Sequence, residues 1–170
     1  MTQRRSLWLI ALTFGALFVV GHLTGQTGDD CLPETGPVAG MQWEEIAFVD
    51  DTGAEQARLR VRIAATDSQR SAGMQHLCPE AVADNPILFV FSGPQRPAFH
   101  MSNVHAPLDM VFIDPNDRVV ELHVMEPGPR LTRPEVPVRH ALELAKGQAS
   151  TLGIEPGLTL RRGAEEGTVR

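Results

Sequence analysis

From Arg58 to Ile63 the chain reads Arg-Leu-Arg-Val-Arg-Ile, and a strict period of two fits an extended strand, because successive side chains on a strand point to opposite faces. Leu59, Val61 and Ile63 then make a buried face. Arg58, Arg60 and Arg62 make the other, read as the solvated side of a half-buried antiparallel strand rather than as a binding patch. Trp43–Val49, Ile87–Phe91, Asp109–Ile113, Val119–Met125, Ala141–Leu144 and Leu158–Arg161 carry further strand signals, several bounded by Gly or Pro. Asp114-Pro115-Asn116-Asp117 places Pro and Asn at turn positions, joining Asp109–Ile113 to Val119–Met125 as a hairpin. Thr66 followed by Gln69 is a capping-box pattern that opens a helix expected to run to about Leu77, and Ala145–Leu152 suits a second short helix ending at Gly153. The expected fold class is α+β: a mainly antiparallel, barrel-like β-sheet with one or two short helices.

The ends of the chain have a different character. Arg4 and Arg5 precede the uncharged stretch Leu7–Val20, and glycines and then Asp29 and Asp30 follow, which is the layout of an export signal. The 14 residues of that stretch make about 21 Å of helix, short of a hydrocarbon core of roughly 30 Å. Residues 1–25 therefore read as an export signal or, if uncleaved, as an N-terminal anchor, with the acidic side crossing the membrane. Residues 26–40, rich in Gly, Pro, Thr and Asp, read as a flexible linker. Residues 41–162 read as a single globular domain, and residues 163–170 as a disordered tail. The expected location is the periplasm, free or anchored to the inner membrane, with membrane contact only through the N-terminal segment.

Charge narrows the partners. The net charge of −6 includes +2 from Arg4 and Arg5, so the chain after residue 25 carries −6 − 2 = −8. Binding phosphate needs a basic face, so nucleic acid is not an expected partner. Cys31 and Cys78 are the only cysteines, too few for a disulfide-built scaffold. In an oxidising compartment they are able to pair, but their positions in sequence leave a bond and two free thiols equally open.

The run from Phe99 to Asp114, with Met101, Asn103, Pro107-Leu108-Asp109 and Phe112-Ile113 in order, resembles the central signature of the family called domain of unknown function 192, a group of uncharacterised conserved exported proteins. Arg70-x-x-Gly73-Met74 looks like that family's early helix motif. Leu88-Phe89-Val90-Phe91 is similar to its next strand, and Leu142-Glu143-Leu144 with Gly153-Ile154-x-Pro156-Gly157 is similar to its C-terminal end. The resemblance spans about residues 57 to 161. It implies a fold and a candidate site but no established reaction or cofactor. The chain is a divergent member: His100, Ser102 and Val104 stand where the family usually has Trp, Lys and Thr, and Leu77 where it usually has Arg. If those two cations hold an anionic ligand in relatives, the same ligand is not expected here.

Within these blocks Asn103, Asp109 and Glu143, together with His100, are the candidate ligand-binding residues. None of the first three is a natural core residue, and for Asn103 and Asp109 the competing role is to cap a loop by bonding backbone amides. Glu143, between Leu142 and Leu144, faces either solvent or a polar barrel interior. His100, Met101, Met110, His123 and Met125, with His105 nearby, form a second constellation. Imidazole with thioether suits Cu(I), and on a hairpin Met110, His123 and Met125 share a face. Methionines filling a core explain the same run. No catalytic residue is identifiable: Ser92 lacks a nucleophile-elbow context, Cys78 lacks an activating partner, and no phosphate-cradling loop is present. The reading is a non-enzymatic small-ligand or metal-binding accessory domain of the cell envelope. The alternatives are a hydrolase-like enzyme using Asp109 and Glu143, and a module that binds another envelope protein.

Overall fold

A computed structural model describes residues 31–163. The expected signal or anchor at 1–25 and the tail from 164 onward lie outside the described residues. In chain order the elements are α1 Gly36–Ala39, β1 Gln42–Val49, β2 Glu55–Ala64, α2 Asp67–Ala72, α3 Pro79–Asp84, β3 Ile87–Gln95, β4 Phe99–Met101, β5 Leu108–Ile113, β6 Val119–Met125, β7 Gly128–Thr132, β8 Val138–Ala145, α4 Gln148–Thr151 and β9 Thr159–Arg162. None of the described helices is long and apolar enough to cross a membrane.

Seven strands form one sheet in the order β6-β5-β8-β3-β2-β1-β9, and β4 and β7 form a separate two-stranded ribbon. All neighbours in the large sheet are antiparallel except β2 and β3, which run parallel. The sheet curls until its two outer strands meet. Val119 N–H donates to Leu158 O at 2.8 Å and Leu160 N–H to Asp117 O at 2.7 Å, so the edges touch through one bridge rather than a full ladder. The result is barrel-like without being a closed barrel.

The central strands are buried on both faces, as their unbroken apolar runs require. Leu88, Val111, Ile113, Leu142 and Leu144 pack with Ile46, Phe48 and Leu160. The alternate residues Ile87, Phe89, Met110, Phe112 and Ala141 pack with Phe99, Met74 and Leu77 beneath the helices and the ribbon.

The hairpin at Asp114–Asp117 forms as expected, with Asp114 Oδ1 accepting from Asn116 N–H at 2.8 Å and Arg118 N–H at 2.9 Å. Thr66 and Gln69 complete the capping box of α2. The helix stops at Ala72, five residues before the expected end at Leu77, because Gly73 turns to φ 49°, ψ −137°, a conformation open to glycine.

Two expectations change. Residues 31–40, expected within a linker, are packed onto the domain: Cys31 is disulfide-bonded to Cys78, Leu32 bridges Leu77, and Val38 is fully buried. The disulfide holds this polar segment where its composition alone would not. Arg62 is not part of a solvated face either. Its guanidinium is buried, donates to Asn85 Oδ1 at 2.7 Å and Val38 O at 2.8 Å, pairs with Glu34 at 2.5 Å, and lies 4.5 Å over the Trp43 ring. Arg58 stays exposed, bonded to Glu45 and Glu55.

Candidate functional site

Glu143 lies on β8, whose register with β5 sets Glu143 opposite Met110, and Leu144 opposite Asp109. Its side chain therefore shares the face of Met110 and Ala141, on the side covered by α2 and the β4–β7 ribbon. This corrects the expectation of solvent or a polar interior. The carboxyl is buried, with the residue only 5% exposed, and sits among apolar groups at one wall of a cleft of roughly 410 Å³. Burial pushes its pKa up to about 8, while the Met74 N–H, donating toward the carboxyl, pulls the other way. Oε2 has no hydrogen-bond partner.

The chain reaches this geometry through Gly73. A Cβ at that position would lie 3.3 Å from Glu143 Oε2 and 3.4 Å from Phe89 Cζ, on a backbone at φ +49°. Only glycine adopts this turn without pressing a Cβ against the carboxyl and the Phe89 ring. Phe89, Phe91 and Phe99 supply aromatic walls, with the Phe89 and Phe99 rings edge to face at 5.2 Å. Gln75, Gln95 and His100 add polar edges. The guanidinium of Arg70 also borders the cleft but is engaged: it pairs with Asp67 and donates to Ala65 O and to Val90 O, the latter at 3.1 Å.

The candidate residues separate on this frame. His100 and Glu143 share the cleft. Asn103 sits beside it, exposed, its amide nitrogen 3.4 Å from Gln75 Oε1. Its backbone is left-handed at φ 61°, and its carbonyl accepts from His76 N–H at 2.6 Å, so it shapes the loop. Asp109 faces the opposite side of the sheet. Its Oδ2 accepts from Gly147 N–H at 2.8 Å and Ala149 N–H at 3.0 Å, which anchors α4, and it borders a separate hollow with Leu122, Lys146 and Ile154. Asp109 and Glu143 thus do not form a carboxylate pair, and hydrolysis through them has no geometric basis.

The methionines of the His/Met constellation lie in the core. Met110, opposite His123 on the β5–β6 hairpin, and Met101 and Met125 are buried in one apolar cluster with Phe99 and Phe112. His123 Nε2 lies 2.8 Å from Glu121 Oε2 and its ring meets Phe112 edge on. His105 is exposed in a loop. Among the described residues no group of three or more His, Cys, Asp or Glu is placed to hold a metal ion. The residues missed in sequence, Gly73, Met74 and the phenylalanines, all lie in the blocks Arg70-x-x-Gly73-Met74, Leu88–Phe91 and Phe99–Asp114; the blocks were visible, but not that they converge.

Fold and site together define a class: a domain whose curled mixed sheet, helix α2 and outer ribbon enclose a cleft over one buried carboxyl. The family model described as uncharacterized ACR, DUF192, matches residues 48–162, and the chain belongs to this family. A crystal structure from Sinorhizobium meliloti 1021, described provisionally as a transcription regulator, is similar at 27% identity and a TM-score of 0.62, over 72% of this chain and 95% of that one. A protein of unknown function from Novosphingobium aromaticivorans is similar in fold at 24% identity and a TM-score of 0.61, over 75% of this chain and 91% of that one. No curated protein matches the chain.

Proposed function

We propose that this chain is an exported, non-enzymatic accessory domain of the bacterial cell envelope that binds a small molecule in the cleft over Glu143. The observation that carries the reading is Glu143 Oε2, a buried polar atom with no partner in the protein. Leaving such an atom unsatisfied costs about 1–3 kcal/mol, a cost a bound molecule removes. Strongly perturbed carboxyls in clefts mark functional sites. The envelope location is supported by the signal-like layout of residues 1–25 and by the Cys31–Cys78 bond, since such bonds persist in oxidising compartments.

The description carried by the S. meliloti protein is not extended to this chain, whose −8 balance after residue 25 opposes phosphate binding. The test is a small-fragment screen by ligand-observed NMR, repeated on Gly73→Ala, which sets a Cβ 3.3 Å from Oε2 and whose folding is verified by its amide spectrum. Fragments bound by the native chain and lost in the variant support the reading; fragments that bind both proteins equally, or none, end it.

A further inference from the structure

We propose that the cleft selects uncharged, flat molecules that present a hydrogen-bond acceptor, such as an amide carbonyl, to Glu143 Oε2. This rests on the cleft being the binding site and adds the chemical class of its occupant.

Three ligand charges are conceivable, and the walls discriminate among them. An anion needs a free cation or convergent donors, and Arg70, the one guanidinium bordering the cleft among the described residues, is already held by Asp67, Ala65 O and Val90 O. A cation requires Glu143 to ionise among Phe89, Phe91 and Phe99, where the desolvation of both charges offsets their attraction. An uncharged acceptor requires neither. In the acid form Glu143 is able to carry its hydroxyl on Oε2, the oxygen that no protein group bonds. That hydroxyl is a buried donor with no acceptor in the protein. Gly73 lies beside it, close enough that a Cβ there would come within 3.3 Å. Edge and face contacts from the three phenylalanines favour a flat body behind the acceptor, and Gln75, Gln95 and His100 are placed to complete its polar rim.

The titratable groups bordering the cleft are Asp67 and Arg70 from α2, His100 from β4 and Glu143 itself; β3 contributes Phe89, Phe91 and Gln95. Because Glu143 ionises near pH 8, an acceptor ligand should lose its donor in alkali. At pH 9.5 about one carboxyl in thirty remains protonated, which predicts a roughly thirtyfold loss of affinity from pH 7.

The experiment titrates the full-length chain with three matched probes, benzamide, benzylamine and benzoate, following the backbone amides of Gly73 and Met74 by NMR at pH 7 and pH 9.5. The expected result is that benzamide binds most tightly at pH 7 and weakens about thirtyfold at pH 9.5. Glu143→Gln, whose amide also donates, should keep benzamide binding and lose its pH dependence, while His100→Gln should leave that dependence in place. Tighter binding of benzylamine or benzoate than of benzamide at pH 7, or benzamide binding that is flat with pH, overturns the ligand class and leaves the binding cleft standing. Silence of both amides toward all three probes overturns the binding cleft itself.

Discussion

Below pH 4.5, the ordinary value for a glutamate, Glu143 is protonated in folded and unfolded chains alike, so its burial carries no ionisation cost. Between that pH and about 8 the unfolded chain releases the proton and the folded chain keeps it. Stability therefore falls as pH rises through this window and levels off above it. Glu143→Gln should flatten this profile, with the variant gaining on the native chain by a few kcal/mol, in order of magnitude, between pH 5 and pH 9; urea unfolding at several pH values measures it. Gly73→Ala should destabilise by about 1–3 kcal/mol, because φ +49° and the 3.3 Å approach to Glu143 Oε2 oppose any Cβ. Asp109→Ala should cost about 2 kcal/mol by freeing the amides of Gly147 and Ala149, and should leave ligand binding unchanged. In sequence, Glu143 was visible as a carboxylate flanked by two leucines. Its face was not visible, since that depends on pairing with Met110 across 33 positions.

At the scale of elements, local signals succeeded where an element is its own cause. The capping box of α2 and the turn at Asp114–Asp117 are both written in adjacent residues. The β4–β7 ribbon was missed because three residues at Phe99–Met101 carry no period and their partner lies about thirty positions on. The N-terminal segment was missed because what holds it is non-local: the disulfide to Cys78, one buried side chain, Val38, and bonds from Arg62 to Val38 O and Glu34. The disulfide closes a loop of 47 residues, for which the chain-entropy model gives about 4 kcal/mol. Reduction or Cys31→Ser should lower the unfolding free energy by up to that amount, as denaturant titration with and without reductant will read. Arg62→Ala should cost about 2–4 kcal/mol, since it leaves Asn85 Oδ1 and Val38 O unpaired within the same segment.

At the scale of the molecule, the α+β class and the curling of the sheet followed from the count and spacing of strands, while the parallel pairing of β2 with β3 and the convergence of separate blocks on one cleft are products of topology. Order in the sheet depends on β9. Ile46, Ala47, Phe48 and Val49 pair with it on one side, and Val119 and Asp117 bond to its neighbourhood on the other. A chain ending at Leu158 should lose cooperative unfolding and expose the β1 edge, a change that calorimetry and light scattering detect. The pairing also governs timing. Ile46 and its partner Arg162 are 162 − 46 = 116 positions apart, so at synthesis rates of about 5–20 residues per second roughly 6 to 23 seconds separate their production. During that interval β1 has no lateral partner beyond β2, and the sheet cannot complete. A chain built this way closes its sheet only when its last strand emerges.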